Sequence, residues 1–303
     1  MAGLKELRTR IESIKSTYKI TSAMKMVAAS KFRRAQLTLE KSELFQNMLL
    51  ADIKKILAEL KMIETERKVS FLMPKLLVQP QNPKTYALFV LASDKGLCGS
   101  YNTMIAKEAK RRIDELVSAG KKVIVFCYGK KAVSNLKRYG FTDIEASYPS
   151  VIKKHLSYTE ALSFLQDVTD KKNQYQADIC EIVYSDFLSG LSKHYLSKQV
   201  IPFDIELNED DLQANRQGQA FYGYTTTPLE TLDQFLDIYS RTFMFELLIN
   251  SQASEHVARM SSMDNATRNA QDMIKSLTFK YNSLRQSAIT TELVEIVAGA
   301  EAM

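Results

Sequence analysis

The chain has 303 residues, of which 45% are hydrophobic and 25% are charged, a balance typical of a folded protein with a sizeable core. It has no run of eighteen apolar residues, and its three cysteines, Cys98, Cys127 and Cys180, have neither disulfide nor metal-binding spacing, which argues against a membrane-spanning helix and a disulfide scaffold. The net charge of +6 is concentrated at one end, because residues 1–36 hold nine Lys or Arg and only two Glu. This end is therefore expected to meet an acidic partner.

The first predicted element is one long N-terminal helix. Neither Gly nor Pro occurs between Gly3 and Pro74, and the stretch ITSAMKMVAASKFRRAQ at residues 20–36 tolerates or favours helix throughout. Apolar and small residues recur at alternating steps of three and four, which predicts a supercoiled seam against another helix. The seam residues are Leu4, Leu7, Ile11, Ile14, Tyr18 and Thr21, and then, after a shift of phase, Met24, Ala28, Phe32, Ala35 and Leu39.

The middle of the chain predicts a Rossmann-like α/β domain. Strands are expected at residues 85–93, 121–129 and 177–187, and helices at 101–118, 131–140 and 157–172. Because strands alternate with helices, a mainly parallel sheet is expected. Residues 194–207 are a candidate for a further strand at a sheet edge, since Pro202 interrupts them.

The loop SDKGLCGSYN at residues 93–102 stands between a strand and a helix, where a dinucleotide or phosphate loop would lie. It supplies Gly96 and Gly99, whereas the Rossmann fingerprint needs three glycines, and its lysine precedes them instead of following them as in a P-loop. We interpret it as a tight turn. Cys98 and the histidines at positions 155, 194 and 256 lack catalytic or metal-ligand spacing, so no catalytic site, metal or cofactor is predicted, and the cysteines are expected to be buried thiols.

The last predicted element is a second long helix. Thr227, Pro228 and Glu230 place a Thr at the N-cap, a Pro at the first helical position and a Glu at N3. No Gly or Pro follows before Gly299, and seam residues again recur at steps of three and four. These are Ala253, Val257, Met260, Asp264, Thr267, Ala270, Ile274, Leu277, Tyr281, Leu284 and Ala288.

The two long helices are expected to pack on each other, because they outrun any core that the middle of the chain could offer. Since the α/β domain joins their inner ends, an antiparallel coiled coil is favoured. The predicted domains are an N-terminal shaft helix at 1–75, the α/β domain at 76–226 and a C-terminal shaft helix at 227–303.

Three segments together resemble the gamma subunit of the F-type ATP synthase. They are residues 11–36, beginning IESIKSTYKITSAMKMVAAS, the loop SDKGLCGSYN, and residues 253–302, beginning ASEHVARMSSMDNATRNAQDM. The resemblance implies a rotor shaft whose antiparallel coiled coil turns inside a ring of alpha and beta subunits, while the α/β domain lies on the membrane c-ring beside epsilon. Such a shaft couples proton flow to ATP synthesis or hydrolysis. It implies a non-catalytic subunit without cofactor, small-molecule substrate or nucleic acid, peripheral at the cytoplasmic face of a bacterial inner membrane.

The resemblance also implies subunit contacts. Met24 and Lys25 match the Met and Lys of the family on which mobile acidic segments of beta press, and Arg33 and Arg34 add positive charge nearby. Val294 and Val297 lie in the tip that is expected to turn in an apolar sleeve.

Two alternatives stay open at this point. One is an enzyme that binds a nucleotide on the α/β domain, which the glycine pattern disfavours. The other is a coiled-coil module that binds nucleic acid, which is disfavoured because residues 250–303 hold five Lys or Arg against six Asp or Glu.

Overall fold

The computed structural model of the chain describes residues 2–68, 70–152, 156–189, 192–208 and 227–301. His155 and residues 209–226 lie outside this described part.

The described residues fall into two compact units. The coiled-coil unit comprises Met1–Ser30, Leu97–Gly99 and Val257–Met303, and the sheet unit comprises Lys31–Gly96 and Ser100–His256. The domain bounds expected at residues 75 and 226 stay a prediction.

Two very long helices, α1 and α5, contribute to both units. In chain order the helices are α1 (Ala2–Arg67), α2 (Tyr101–Ser118), α3 (Lys130–Arg138), α4 (Tyr158–Gln174) and α5 (Pro228–Glu301). The strands are β1 (Thr85–Leu91), β2 (Lys122–Tyr128), β3 (Ala146–Tyr148), β4 (Ile179–Ser189) and β5 (Ser192–Ile201). α1 has 66 residues and α5 has 74, as the absence of Gly and Pro predicted.

The start of α5 is set by a reciprocal pair of hydrogen bonds. The Glu230 amide donates to Thr227 Oγ1, and the Thr227 amide donates to a carboxylate oxygen of Glu230, each at 3.3 Å. Both amides belong to the first turn, where no helical carbonyl is available to them. The predicted capping box is confirmed.

Within the coiled-coil unit, α1 and α5 run side by side in opposite directions. Thr21 of α1 is hydrogen-bonded to Thr267 of α5, and Lys25, one turn further along α1, contacts Asp264, which precedes Thr267. Rising residue numbers on one helix thus meet falling numbers on the other. The antiparallel arrangement is confirmed.

Most predicted seam positions of this coiled coil are buried or half-buried, whereas Leu284 of α5 is 42% exposed. On α1 every seam residue from Leu4 to Ala28 is buried or half-buried, whereas most residues between them are exposed. Ala28 is 1% exposed, and Val257 and Ala270 of α5 are 0% and 5% exposed. Small side chains at these positions let the two helix axes approach closely.

The sheet unit contains a five-stranded sheet in the order β3-β2-β1-β4-β5. β1 pairs in parallel with β2 and β4, and β2 pairs in parallel with β3, whereas β5 runs antiparallel to β4. The sheet is mainly parallel, as predicted. β5 lies at an edge, also as predicted, and ends directly before Pro202.

Two features of the sheet were not predicted by the sequence analysis. β3 has three residues, Ala-Ser-Tyr, and carries no alternating or β-branched run by which it could be detected. β5 is antiparallel because two residues separate it from β4, whereas a parallel crossover needs about a dozen residues or more.

The inner parts of both long helices belong to the core of the sheet unit. Every residue of β1 from Tyr86 to Leu91 is at most 8% exposed, so both faces of the central strand are covered. Ile53 and Ile56 of α1 and Leu232 of α5 lie in the same hydrophobic core as Phe89 of β1.

Gly129, directly after β2, is required by the backbone geometry of this sheet. Its φ is +104°, and a Cβ built there would lie 2.2 Å from the carbonyl oxygen of Ala92. Since that neighbour is backbone, it cannot rotate away.

We predict that Gly129→Ala lowers the stability of the sheet unit by about 3 kcal/mol, because strain and a backbone clash add. Gly120→Ala is the matched control, since φ there is +71° but no atom lies within 4 Å of the added Cβ, and about 1 kcal/mol is expected. Denaturant unfolding of the full chain measures both. If both variants lost the same free energy of unfolding, the clash between an added Cβ at position 129 and the Ala92 carbonyl oxygen would be contradicted.

Candidate functional site

The loop after β1 lies where open α/β folds bind ligands. β2 pairs on one side of β1 and β4 on the other, so the order of the strands reverses at the carboxyl end of β1. Here Asn102 Oδ1 accepts a hydrogen bond from the Ser93 amide at 3.0 Å, and Asn102 Nδ2 donates to Ser93 Oγ at 2.9 Å. These buried bonds tie the start of α2 to the end of β1 and make the expected tight turn.

The backbone donors at this edge are used by a carboxylate of the chain itself. Asp94 accepts hydrogen bonds from the amide of Lys130 at 3.0 Å, at the first residue of α3, and from the amide of Ser150 at 3.2 Å. The amino end of a helix is a place where a phosphate would otherwise find donors. Asp94 therefore occupies the position of a ligand anion.

α5 covers the neighbouring end of the sheet. The hydroxyl of Tyr101, at the start of α2, lies 3.1 Å from Ser251 Oγ, and both residues are 0% exposed. Asn250 Oδ1 accepts a hydrogen bond from the Phe187 amide on β4 at 2.6 Å. The polar groups beside the switch point thus bind the chain's own helix.

The cysteines do not have the environment of a nucleophile. All three are buried and free, as expected, and burial raises the pKa of the Cys127 and Cys180 thiols to about 12. These two thiols are protonated at neutral pH, and a thiol is much less reactive than a thiolate.

In the described part of the chain, no three His, Cys, Asp or Glu side chains are grouped so that they could hold a metal ion. None of the described helices combines the length and apolar character that crossing a membrane requires.

A polar cavity of about 210 Å³ lies between α1, β4, β5 and α5, within the sheet unit. Three carboxylates face it, from Glu43, Asp186 and Glu246, together with the ammonium group of Lys198. Asn250 donates to Asp186 Oδ1, while among the described residues Glu246 Oε2 has no hydrogen-bond partner. The sequence gives no sign of this cluster, because its members come from four elements far apart in the chain.

The carboxylates of this cavity hold their protons more tightly than ordinary carboxylates. Burial, and then the negative charges of Glu43 and Asp186, raise the pKa of Glu246 to about 7, while Lys198 opposes the shift. Burial also raises the pKa of Asp186 and of Glu43. Lys198 neutralises the cluster incompletely, and its Nζ lies 4.7 Å from the centre of the Phe243 ring.

The expected contact residues lie in different places. Met24 is half-buried in the seam, and Lys25 Nζ lies 2.5 Å from Asp264 Oδ1 with 44% of its side chain exposed. Arg33 and Arg34 are exposed on α1 in the sheet unit. The partner of Lys25 was missed from the sequence, although Asp264 stands out there as the one charged residue among the predicted seam residues of α5.

The tip of α5 is apolar and exposed. The pairs Thr21–Thr267 and Lys25–Asp264 set the register, and in that register the described residues of α1 lie opposite α5 only up to about Leu284. Val294 is 62% exposed and Val297 55%, and Ile296 between them is 67% exposed. Together with the exposed Leu293 they form a mostly apolar surface, which the exposed Glu295 interrupts. Exposed apolar residues grouped in this way mark an interaction surface.

Comparison with known proteins assigns the family. The sequence profile of a family described as ATP synthase matches residues 3–303. The ATP synthase gamma chain of Erythrobacter litoralis is 40% identical over 304 residues, and the alignment covers 100% of both chains. The chain belongs to the ATP synthase gamma-chain family. The gamma chain of Paramagnetospirillum magneticum is 38% identical, again over 100% of both chains.

Chains in solved structures of ATP synthases share the fold. A chain of the Euglena gracilis mitochondrial ATP synthase matches with a TM-score of 0.64 at 18% identity, over 100% of this chain and 95% of that chain. A chain from the central stalk and c-ring of the Tetrahymena thermophila mitochondrial ATP synthase matches with a TM-score of 0.53 at 24% identity, over 82% of this chain and 99% of that chain. The predicted fold class and family resemblance are confirmed, and neither the nucleotide-binding enzyme nor the nucleic-acid-binding module is favoured.

We predict that Glu246→Gln changes how stability depends on pH. The pKa of Glu246 is raised from an ordinary value of 4.5 to about 7 in the folded chain, so the unfolded chain releases this proton first. Ionisation of Glu246 therefore does not lower the free energy of unfolding below pH 4.5, and it lowers this free energy increasingly as the pH rises towards 7. The variant is expected to melt several degrees higher than the parent at pH 8 and at about the same temperature near pH 4.5.

The control is Asp233→Asn, which removes an exposed carboxylate from the same helix. Because this side chain is exposed, the melting temperature of the control should stay close to that of the parent both at pH 4.5 and at pH 8. A pH-independent difference for Glu246→Gln as well would contradict the raised pKa.

Proposed function

We propose that this gamma-family chain is the central rotor shaft of an ATP synthase and does no bond chemistry itself. It couples proton flow through the membrane c-ring to ATP synthesis, or hydrolysis to the reverse flow, in a ring of alpha and beta subunits. The observation that carries this proposal is the antiparallel coiled-coil unit of α1 and α5, in a chain that matches gamma chains from end to end.

The geometry of the sheet unit supports a non-catalytic role. At the switch point, where related folds bind nucleotides, the amides of Lys130 and Ser150 are engaged by Asp94, and Tyr101 is engaged by Ser251. An incoming phosphate would have to displace groups that already satisfy one another. The catalytic groups are therefore proposed to belong to other subunits.

The exposed surfaces of the chain match the proposed partners. The α5 tip offers weak apolar contacts to a sleeve formed by the alpha and beta subunits. Epsilon and the c-ring are proposed to contact the sheet unit, which makes the chain peripheral to the membrane, at the cytoplasmic face of a bacterial inner membrane. The full-length similarity to bacterial gamma chains supports this assignment.

Individual contact residues follow from charge and flexibility. Arg33 and Arg34 are exposed cations that would steer acidic segments of beta, and Lys25 keeps part of its side chain exposed for the same purpose. Met24 would adapt to changing neighbours, since an unbranched thioether fills irregular gaps. Val294 and Val297 would form the bearing, because apolar contacts repeat at every angle of rotation. A single charge-assisted hydrogen bond, at about 1.5–3 kcal/mol, would favour one angle.

We predict that the isolated chain hydrolyses no ATP, but stimulates hydrolysis when it is assembled with alpha and beta subunits from Erythrobacter litoralis, whose gamma chain is 40% identical. The measurement is ATP turnover by the purified complex, against alpha and beta subunits alone. Turnover by the isolated chain would overturn the non-catalytic assignment. If the complex assembled normally but the chain did not stimulate ATP hydrolysis, the proposal that the chain is the rotor shaft would be overturned.

For the bearing, we predict that the double variant Val294→Arg, Val297→Arg assembles normally but turns over ATP several-fold more slowly. Two guanidinium groups would make directional hydrogen bonds or be desolvated in the sleeve. The matched control, Val294→Thr with Val297→Thr, keeps the shape without charge and should remain close to the parent. Because both residues are exposed, the melting temperature of the isolated chain should not change in either variant. Unchanged turnover of the assembled double-Arg variant would rule the bearing out.

A further inference from the structure

One level of the coiled-coil seam is polar, although most seam residues above and below it are small or apolar. Thr267 Oγ1 and Thr21 Oγ1 lie 3.0 Å apart, at hydrogen-bond distance. Each hydroxyl also lies near a carbonyl oxygen of its own helix, Met263 at 2.7 Å and Tyr18 at 3.1 Å. One turn away, Lys25 Nζ lies 2.5 Å from Asp264 Oδ1. These two contacts join α1 to α5 at adjacent turns.

The ion pair is held in place from more than one side. Arg268 reaches the other carboxylate oxygen of Asp264 at 2.5 Å from within α5. The hydrogen bond from Lys25, and then the charge of Arg268, lower the pKa of Asp264. The Asp264 side chain is 23% exposed, so its charge is only partly solvated by water. Lys25 is therefore a directional partner for a carboxylate that stays ionised.

The apolar part of the seam distinguishes poorly between alternative alignments of the helices. A slip by one seven-residue repeat moves one helix by about 10 Å along the other and again places apolar residues opposite apolar residues. Hydrophobic burial has no direction, and small residues such as Ala28 and Ala270 offer little shape to interlock. A slipped alignment would, however, separate Lys25 from Asp264 and Thr21 from Thr267.

We infer that Lys25 with Asp264, and Thr21 with Thr267, form a polar layer that fixes the axial register of α1 against α5 within the coiled-coil unit, whose residues lie outside the core that both helices share with the sheet. A partly exposed ion pair adds little to stability, and its effect is on the choice between alignments. The consequence for rotation rests on the proposed function: a shaft that cannot slip presents the same outer surface to its ring at every turn.

This role differs from the contact with beta that is proposed for Lys25. If the ion pair only fixes the register, it does not matter which helix carries the positive charge, as long as positions 25 and 264 carry charges of opposite sign. In a contact with an acidic segment of beta, the positive charge must stay on α1. Exchanging the two charges separates the roles.

The test measures register directly in the full-length chain. Spin labels are attached at Lys19→Cys and Asp272→Cys, two exposed positions on α1 and α5, and the buried native cysteines are protected from the label. Pulsed electron paramagnetic resonance then gives the distribution of distances between the labels. The parent should give one narrow distance.

Lys25→Asp alone should broaden the distribution or shift it, because two carboxylates then face each other across the seam. Asp264→Lys alone should do the same, and the exchange Lys25→Asp with Asp264→Lys should restore the single narrow distance. Lys15→Asp is the matched control, an exposed charge reversal on the same helix, and should leave the distance unchanged. If a reversal prevents folding, the near-isosteric Asp264→Asn serves in its place and should also broaden the distribution.

A single narrow distance at the parent value in both reversals, or in Asp264→Asn, would overturn the polar layer. ATP turnover of the assembled complex then tests its consequence: single reversals should lower turnover several-fold and the exchange should recover it. Recovery of the distance without recovery of turnover would overturn that consequence and assign Lys25 to the contact with beta. The distance measurement needs no other subunit, so failure of the rotor proposal would appear separately, as a parent chain that does not stimulate ATP hydrolysis.

Discussion

Each long helix has to bury its apolar seam, and no single partner extends along its whole length. In the coiled-coil unit, α1 covers its seam with α5, where Ala28 and Val257 are almost completely buried. In the sheet unit the same two helices use other residues, among them Ile53 of α1 and Leu232 of α5, to cover β1. Each long helix thus buries one part of its length in the coiled-coil unit and another part in the sheet unit. In each unit, the polar side chains of the buried part need partners within that unit.

The burial of α5 is most complete from Leu247 to His256, where every residue is buried. A helix that is buried on all sides brings polar side chains into the interior, and each needs a partner there. Asn250 accepts from the amide of Phe187, and Ser251 meets Tyr101. These contacts hold α5 over the carboxyl ends of the strands, in the space that related folds leave for a ligand. An α/β domain thus serves here as a support for a shaft, which illustrates that a fold alone does not specify a function.

Two carboxylates of the sheet unit, Glu181 and Glu246, differ in how well they are hydrogen-bonded. Glu181 on β4 is 4% exposed and receives two hydrogen bonds from the guanidinium of Arg112, at 2.8 and 2.6 Å, and a third from Ser197 at 2.7 Å. This fully satisfied carboxylate anchors α2 to the sheet. Glu246 lacks such partners among the described residues, and its pKa rises instead. The missing partners explain why the ionised form of Glu246 weakens the fold at neutral pH.

The sequence by itself determined the features that depend on neighbouring residues. The two long helices follow from the absence of Gly and Pro, the start of α5 from Thr227 and Glu230, and the seam from steps of three and four residues. The parallel strands follow from their apolar runs. All of these signals are local, because helix caps and helix or strand periodicity are properties of a few adjacent residues.

Only the tertiary structure decided which distant residues meet. β3 was missed because three residues carry no period, and β5 runs antiparallel to β4 because the connection between them is short. The carboxylates of Glu43, Asp186 and Glu246 converge from three elements, and Lys25 meets Asp264 across 239 positions of the sequence. Both long helices display several charged residues at suitable places on their surfaces. Which of them pair depends on the axial alignment of two helices, and that alignment exists only once both are packed.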